Sequence, residues 1–372
     1  MKELNIAVIG CGRIAGHHCR NIALNEGLKL VAVCDLDLSK AQAYGNEFSV
    51  PAYENYRMMM EKHPDIDIVA IITPSGMHYE HAKEIILNYK KHVIVEKPTF
   101  LKLTHLKEIY SCAEIAGVQV FPVFQNRYNK AVQRVKSALV NGELGEPRIF
   151  SVRVRWCRPQ KYYDLSAWRG TFAMDGGAIT NQGVHHIDLL RYLGGEVEEV
   201  STQMRTFGAS IEVEDACVST LKFQSGAIGT LEITTAARPD DFEASISIVG
   251  SKGLAQIGGI AVNELQIFAL ENNQNTENEK REHSEDFSKC VYGNGHEMLY
   301  RDIVNHFNGT KVYPVSKIDT YKTLSLLHSF YVSSEKGEYV KPIEELESSR
   351  LGEENDQLAK LYRTVGCEMV GV

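Results

Sequence analysis

Near-continuous apolar runs alternate with helical periodicity along the first third of the chain. The runs are Asn5-Ile6-Ala7-Val8-Ile9, Leu28-Lys29-Leu30-Val31-Ala32-Val33, Ile66-Asp67-Ile68-Val69-Ala70-Ile71-Ile72, His92-Val93-Ile94-Val95 and Val118-Gln119-Val120-Phe121-Pro122-Val123. They are short, rich in β-branched residues and apolar on both sides, as strands covered by helices on both faces must be. The intervening segments supply those helices, the first from about Ile14. The pattern predicts an α/β domain over residues 1–124 with a doubly wound parallel sheet.

After about Gln125 the period changes to two. A helix from Ala131 to Asn141, ended by Gly142, leads into Arg148–Trp156, where apolar and polar positions alternate. Further two-faced strands are expected near Val197–Thr206, Asp215–Phe223, Ala227–Thr235, Glu243–Val249, Leu254–Ile257 and Glu264–Ala269, separated by turns such as Gln224-Ser225-Gly226. This predicts a second α/β domain over 125–342 built on a large, open, mainly antiparallel sheet. Glu271–Ser288 is polar and reads as an exposed loop, helices are expected from Gly293–His296 through Phe307 and over Ile318–Ser334, and 343–372 reads as a charged tail.

A length of 372 residues suits two domains. Forty basic against 48 acidic side chains, a net charge of −8, argue against nucleic acid or an anionic membrane as partner. No run approaches the ~20 apolar residues of a membrane span, and Met1-Lys2-Glu3-Leu4-Asn5 turns straight into a strand without a signal-peptide pattern, so a cytoplasmic protein is expected. The cysteines (11, 19, 34, 112, 157, 217, 290 and 367) form no C-x-x-C pair and read as buried thiols in a reducing compartment; no metal is expected.

Gly10-Cys11-Gly12-Arg13-Ile14-Ala15 follows the first strand and opens a helix in the pattern G-x-G-x-x-A. The first glycine allows a tight turn, the second lets a pyrophosphate approach, and the small third residue lets helix and strand pack, as in a Rossmann dinucleotide site. Asp35 ends the second strand at the separation from which an acid grips the adenosine ribose hydroxyls. With Asp37 close by, it would repel a 2′-phosphate, so the expected cofactor is NAD. Thr73-Pro74-Ser75-Gly76-Met77-His78 and Glu96-Lys97-Pro98 lie at strand carboxyl ends, where open α/β sheets bind ligands.

These motifs, with Gly176-Gly177-Ala178-Ile179-Thr180-Asn181-Gln182-Gly183-Val184-His185-His186-Ile187-Asp188, resemble the glucose–fructose oxidoreductase/inositol dehydrogenase/MocA (Gfo/Idh/MocA) family from the N-terminus to about Pro342. The resemblance implies hydride transfer between NAD(P) and a carbinol carbon of a sugar or cyclitol, and assembly through the open sheet as a homo-oligomer, a tetramer ahead of a dimer. The segments Arg155–Asp164, Trp168-Arg169-Gly170-Thr171 and Asn181–His186 look like one subgroup, the UDP-N-acetyl-2-amino-2-deoxyglucuronate dehydrogenases, which oxidise the C-3 hydroxyl of a nucleotide-linked uronate on a route to surface polysaccharide sugars. A dehydrogenase of a free sugar or cyclitol is the alternative enzyme reading, and a non-catalytic NAD-binding sensor the alternative outside enzymes.

Oxidising a secondary alcohol needs a base for its proton. The resemblance assigns that chemistry to Lys97 and His185. Burial and a neighbouring positive ring both disfavour an ammonium, which is what lets a lysine act as base, and an imidazole is tunable near neutral pH. The family's usual aspartate four residues before the histidine is Asn181 here, which shifts the proton towards Lys97 and leaves His185 to polarise or relay; Asp175 is a substitute carboxylate. His186 should face into packing, and His17-His18 read as helix-surface or packing groups. The expected cofactor-binding set is Gly10, Gly12, Arg13, Ile14, Asp35, Thr73, Pro74, His78, Glu96, Lys97, Gln125, Trp168 and Arg169. For the substrate, forked guanidinium groups suit pyrophosphate and carboxylate. Arg155 and Arg158 are expected there, with Lys97, Gln160, Tyr162, Tyr163, Asp175, Asn181, His185 and Tyr300.

Overall fold

The computed structural model describes residues 3–271, 276–287, 293–343 and 345–364, which divide into two compact units. The first comprises the chain up to Val123, then His296–Thr320, then the described residues from Glu354; the second holds Phe124–Gly295 and Tyr321–Glu353. Segments from the last third therefore complete the N-terminal unit, which simple boundaries at 124 and 342 do not provide for.

In the first unit β1 (Leu4–Ile9), α1 (Ala15–Leu24), β2 (Leu28–Cys34), α2 (Leu38–Phe48), β3 (Ala52–Tyr53), α3 (Tyr56–Lys62), β4 (Ile68–Ile71), α4 (His78–Tyr89), β5 (His92–Val95), α5 (Leu103–Ala116) and β6 (Val120–Pro122) follow along the chain. The strands are parallel in the order β3-β2-β1-β4-β5-β6. All four residues of β4 are buried, as a strand covered on both faces requires. Strand order reverses between β1 and β4, so their carboxyl ends flank the switch point of the sheet.

The second unit runs through α6 (Lys130–Val140), β7 (Pro147–Arg155), the short α7 (Gln160–Tyr163), α8 (Val184–Gly194) and β8 (Val197–Arg205) to β9 (Ala216–Phe223), β10 (Ile228–Thr234), β11 (Glu243–Gly250), β12 (Gly253–Gly258) and β13 (Glu264–Leu270). Its sheet has the order β13-β12-β11-β7-β10-β9-β8, antiparallel except between β7 and β10. Phe150, Val152 and Val154 of β7 face the core with Leu231, Ile233, Ile246 and Ile248.

The stretch read as a polar loop contains α9 (Thr276–Glu282). That helix has no apolar stripe. Acids in its first turn and bases in its last complement the helix dipole, and Arg134 of α6 reaches Glu279 at 2.7 Å. Further on come α10 (Gly295–Phe307), α11 (Lys317–Lys336) and α12 (Asp356–Lys360). The charged stretch after 342 is anchored rather than loose: Leu351 is fully buried, and Arg363 forks onto Glu80 at 2.6 and 2.8 Å. Six cysteines are free thiols; Cys290 and Cys367 lie outside the described residues. Among the described residues no helix is long and apolar enough to cross a membrane.

Candidate active site

The glycine loop between β1 and α1 has two glycines with different reasons. Gly10 has φ +97°, and a Cβ there would sit 2.5 Å from the Ile72 carbonyl oxygen at the end of β4, so the chain itself demands glycine. A Cβ at Gly12 would meet nothing within 4 Å. The bare backbone at Gly12 is thus unexplained by internal packing and suits the close approach of a pyrophosphate. α1 begins without a side-chain cap and without an acid in its first turn, leaving its positive end to an anion. Ala15 is fully buried, and Gly16 lies where a Cβ would press on Tyr44 at 2.7 Å. Cys11, Gly12, the exposed Arg13, Lys40, Ala43 and Tyr44 line a concave surface beside the loop, and Ile14 is the half-buried residue that starts the helix.

Asp35 closes β2 next to this loop. Its Oδ2 accepts the Cys11 N–H at 2.7 Å and its Oδ1 the Asp37 N–H at 2.9 Å. The carboxylate therefore braces the phosphate loop, while its partly exposed oxygens keep lone pairs for ribose hydroxyls. NAD is expected to bind at least about 100-fold more tightly than NADP, since a 2′-phosphate loses those bonds and meets a like charge. Asp35→Ser should narrow the gap in calorimetric titrations, and equal affinities in the unaltered protein would remove Asp35 from this role.

At the ends of β4 and β5 the loops are tied together by His78. Its ring nitrogens lie 2.9 Å from the Pro98 and Thr73 carbonyl oxygens, and burial pushes its pKa below the usual histidine value. His78, expected at the cofactor, is instead a buried clamp between the Thr73-Pro74 and Glu96-Lys97-Pro98 turns. Thr73 donates to or accepts from His81 at 3.0 Å, and Pro74 precedes the Ser75–Met77 turn. Glu96 is buried: Oε1 lies 2.9 Å from His18 Nε2 and 3.6 Å from His296 Nε2, and Oε2 accepts the Lys97 backbone N–H at 2.9 Å. Burial alone would raise the Glu96 carboxyl, but the hydrogen bond from His18 and the nearby ring of His296 outweigh it and hold the group well below the usual carboxylate range. Lys97 is half-buried. Tyr300, expected beside the substrate, is instead fully buried with its hydroxyl 2.7 Å from His18 Nδ1. His18 is no surface group.

In the second unit the glycine pair Gly176-Gly177, both with positive φ, feeds a π-helical turn over Ala178–Gln182 before α8. Asp175 is buried; Oδ2 accepts the Gly170 N–H at 2.7 Å and Oδ1 accepts the Asn181 side-chain amide in a very short bond. The wider π turn sends Asn181 to Asp175, an arrangement that α-helical spacing from His185 does not predict. His185 Nε2 lies 3.2 Å from the Gln125 amide nitrogen. His186 is buried with its ring edge-on to Trp156, 5.8 Å between centroids.

A guanidinium–aromatic cluster lies in the same unit. Arg169 lies over the rings of Tyr162 and Trp168 at 4.4 and 4.6 Å, and Arg158 over Trp156 and Tyr162 at 5.4 and 5.7 Å. The Tyr162 hydroxyl accepts from Arg169 at 2.5 Å and from Gln182 at 3.2 Å. Arg158 is tied to Asp241 at 2.8 Å, and Arg169 Nε is buried without a hydrogen-bond partner among the described residues.

Besides Tyr300, three expected substrate residues are engaged in contacts of their own. Arg155 forks onto Glu232 at 2.6 and 2.8 Å on the outer face of the sheet, because β7 alternates and position 155 falls on the solvent side. Tyr163 turns into the core, its hydroxyl 3.0 Å from Thr235 and pushed up to about 12 by burial. Gln160 is exposed and bonded to Asp164 and the Ser210 N–H. Sequence reasoning also missed Glu214, which fills the space a Cβ at Gly177 would need and accepts from the Ile179 N–H and the Tyr331 hydroxyl. Burial drives Glu214 up to about 8. It missed the buried Arg127–Asp188 fork, at 2.6 and 2.7 Å, that anchors α8.

Residues 4–124 match the model of an oxidoreductase family with an NAD-binding Rossmann fold, and residues 132–256 match the GFO/IDH/MocA C-terminal domain. The WlbA dehydrogenase from Bordetella pertussis, crystallised with NADH and UDP-GlcNAcA, is similar at 32% identity and TM-score 0.86, over 91% of this chain and 98% of that one. WlbA from Chromobacterium violaceum, with the same two ligands, is 33% identical with TM-score 0.84, over 92% and 96%. The D-glucoside 3-dehydrogenase of Escherichia coli is 26% identical over 91% of this chain and 98% of its own.

Proposed function

The chain belongs to the GFO/IDH/MocA family of NAD-dependent oxidoreductases, sugar and cyclitol dehydrogenases, and within it we propose that this protein oxidises the C-3 hydroxyl of a nucleotide-linked amino-sugar uronate, UDP-N-acetylglucosaminuronate, in the cytoplasm for surface polysaccharide synthesis. The observation that carries this reading is the cluster of Arg158, Arg169, Tyr162 and Trp168: two forked cations on aromatic faces suit a pyrophosphate, a uronate carboxylate and a planar base. The likeness to two proteins crystallised with UDP-GlcNAcA, over more than nine tenths of this chain, supports it.

Bound NAD supplies the hydride acceptor. The chain's own residues do the rest. The Gly10–Ala15 loop and the start of α1 hold the pyrophosphate, and Asp35 takes the adenosine ribose. Lys97 removes the proton from the substrate hydroxyl. His185 polarises that hydroxyl, with its ring oriented by Gln125, while Asn181 and Asp175 hold the sugar. Arg158 and Arg169 bind the charged groups away from the reacting carbon.

The test is turnover followed by NADH absorbance with UDP-N-acetylglucosaminuronate, myo-inositol and glucose in parallel. The nucleotide sugar should exceed the others in kcat/KM by at least about 100-fold, as two or more charge-assisted hydrogen bonds would give. A cyclitol or free sugar turned over as well would favour the second reading, which relatives such as the myo-inositol 2-dehydrogenase of Thermotoga maritima, 27% identical over 67% of this chain and 74% of its own, support.

The register of the second sheet lines up Ile228, Ile149, Val249, Leu254 and Ala269 in one row across five strands on the outer face. Ile149, Ile228 and Leu254 are each more than 40% exposed. An exposed apolar row on a sheet face favours a second copy laid face to face, and a tetramer with closed symmetry is expected. Light scattering at micromolar concentration should give about four times the 41.7 kDa chain mass; the monomer mass would refute it.

A further inference from the structure

The buried side chains His18, Glu96, His296 and Tyr300 all lie in the first unit and are used by none of the steps above. His18 sits on α1, the uncapped helix that follows the Gly10–Ala15 loop proposed above to hold the pyrophosphate. Its Nε2 is 2.9 Å from Glu96 Oε1 and its Nδ1 is 2.7 Å from the Tyr300 hydroxyl. The other Glu96 oxygen accepts the backbone N–H of Lys97 at 2.9 Å. A continuous chain of hydrogen bonds thus runs from the phosphate-binding helix to the backbone of the lysine.

We propose that His18 is a positioning residue for Lys97, holding the Glu96 carboxylate in the orientation that fixes the Lys97 backbone and so setting where the lysine side chain starts. This rests on the reading of Lys97 as the base.

The charge states agree with this geometry. An ionised Glu96 needs a donor at Oε1, which His18 supplies through Nε2–H. The Tyr300 hydroxyl, which burial keeps protonated, lies 2.7 Å from His18 Nδ1 and fixes the ring from its other side. Burial pushes His296 down to about 4 and His17 to about 3, so neither adds a cation to the cluster at neutral pH. His18 is thus held at both ring nitrogens, by Glu96 on one side and Tyr300 on the other, which fixes the direction from which it meets the carboxylate.

Because α1 also carries the pyrophosphate site, cofactor affinity and lysine placement can be separated by experiment. His18→Leu removes both hydrogen bonds, His18→Gln restores a donor near the position of Nε2, and Tyr300→Phe removes only the hydroxyl. Lys97→Met serves as the reference. Each is assayed for kcat with saturating NAD and UDP-N-acetylglucosaminuronate, for NAD Kd by calorimetry, and for Tm. His18→Leu should lower kcat on the order of 100-fold, the effect of misplacing a catalytic group by about 1 Å, while NAD Kd stays within about threefold. His18→Gln should recover most of the loss although its Tm falls like that of His18→Leu, and Tyr300→Phe should fall between. A merely structural role would make kcat follow Tm, with no rescue by glutamine. Normal kcat in His18→Leu alongside an inactive Lys97→Met overturns the positioning role alone, and normal kcat in Lys97→Met overturns the lysine reading and this one with it. Should His18→Leu fail to fold, an unchanged kcat in Tyr300→Phe overturns the proposal.

Discussion

Replacing Lys97 with methionine is expected to cut kcat by ~100- to 10,000-fold, the range in which general acid–base groups contribute. Methionine keeps the length and much of the packing of the half-buried side chain and removes only the nitrogen. Affinity for NAD and for the nucleotide sugar should therefore change little. His185→Asn should cost less if the imidazole only polarises the hydroxyl. Arg158→Met should behave differently, raising KM for the nucleotide sugar while sparing kcat, because it removes binding common to ground and transition states. Near-normal kcat in Lys97→Met, measured by NADH absorbance at saturation, would make the lysine a cofactor-positioning or structural charge.

The two glycines of the phosphate loop are expected to fail in opposite ways. Gly12→Val should leave the thermal midpoint nearly unchanged, since nothing in the chain lies within 4 Å of a Cβ at that position. The added side chain occupies the approach of the pyrophosphate, and losing two charge-assisted hydrogen bonds of ~1.5–3 kcal/mol each would weaken NAD by about 100-fold or more. Gly10→Ala should do the reverse. Its φ of +97° and the Ile72 oxygen 2.5 Å away strain the fold itself, so stability falls by about 2 kcal/mol or more. Calorimetry and thermal melts on both variants separate the cases. A Gly12→Val protein that binds NAD normally would move the cofactor off this loop.

Much of this was legible in the chain because the signals are local. Buried parallel strands must be apolar on both faces, so the five runs from Asn5 to Val123 announce five of the six strands of the first sheet; β3, two half-buried edge residues, carries no such run. A glycine with no Cβ at the end of a strand, followed by a helix, announces a phosphate loop whatever surrounds it. Period-two patterning likewise announces the second sheet, because one face of it meets solvent. α9 escaped for the complementary reason: a helix held by dipole-matched charges and by Arg134 has no apolar stripe to read.

The chemistry within each unit depends on partners far apart in sequence. His18 finds Glu96 across 78 positions and Tyr300 across 282, and residues 296–320 join the first unit from the far end of the chain. Arg155 and Arg158 are three residues apart and each meets an acid, yet Arg155 forks onto Glu232 at the sheet surface while Arg158, beside Asp241, lies over Trp156 and Tyr162. Glu214 looks like any surface acid until burial against Gly177 drives it up to about 8. Periodicity and backbone freedom are properties of neighbouring residues, so the two sheets, the glycine loop and the family were readable along the chain. Which histidine is buried against Glu96, which arginine joins the aromatic cluster and which carboxyl keeps its proton depend on solvation and long-range hydrogen bonds, which are set by residues that periodicity cannot connect.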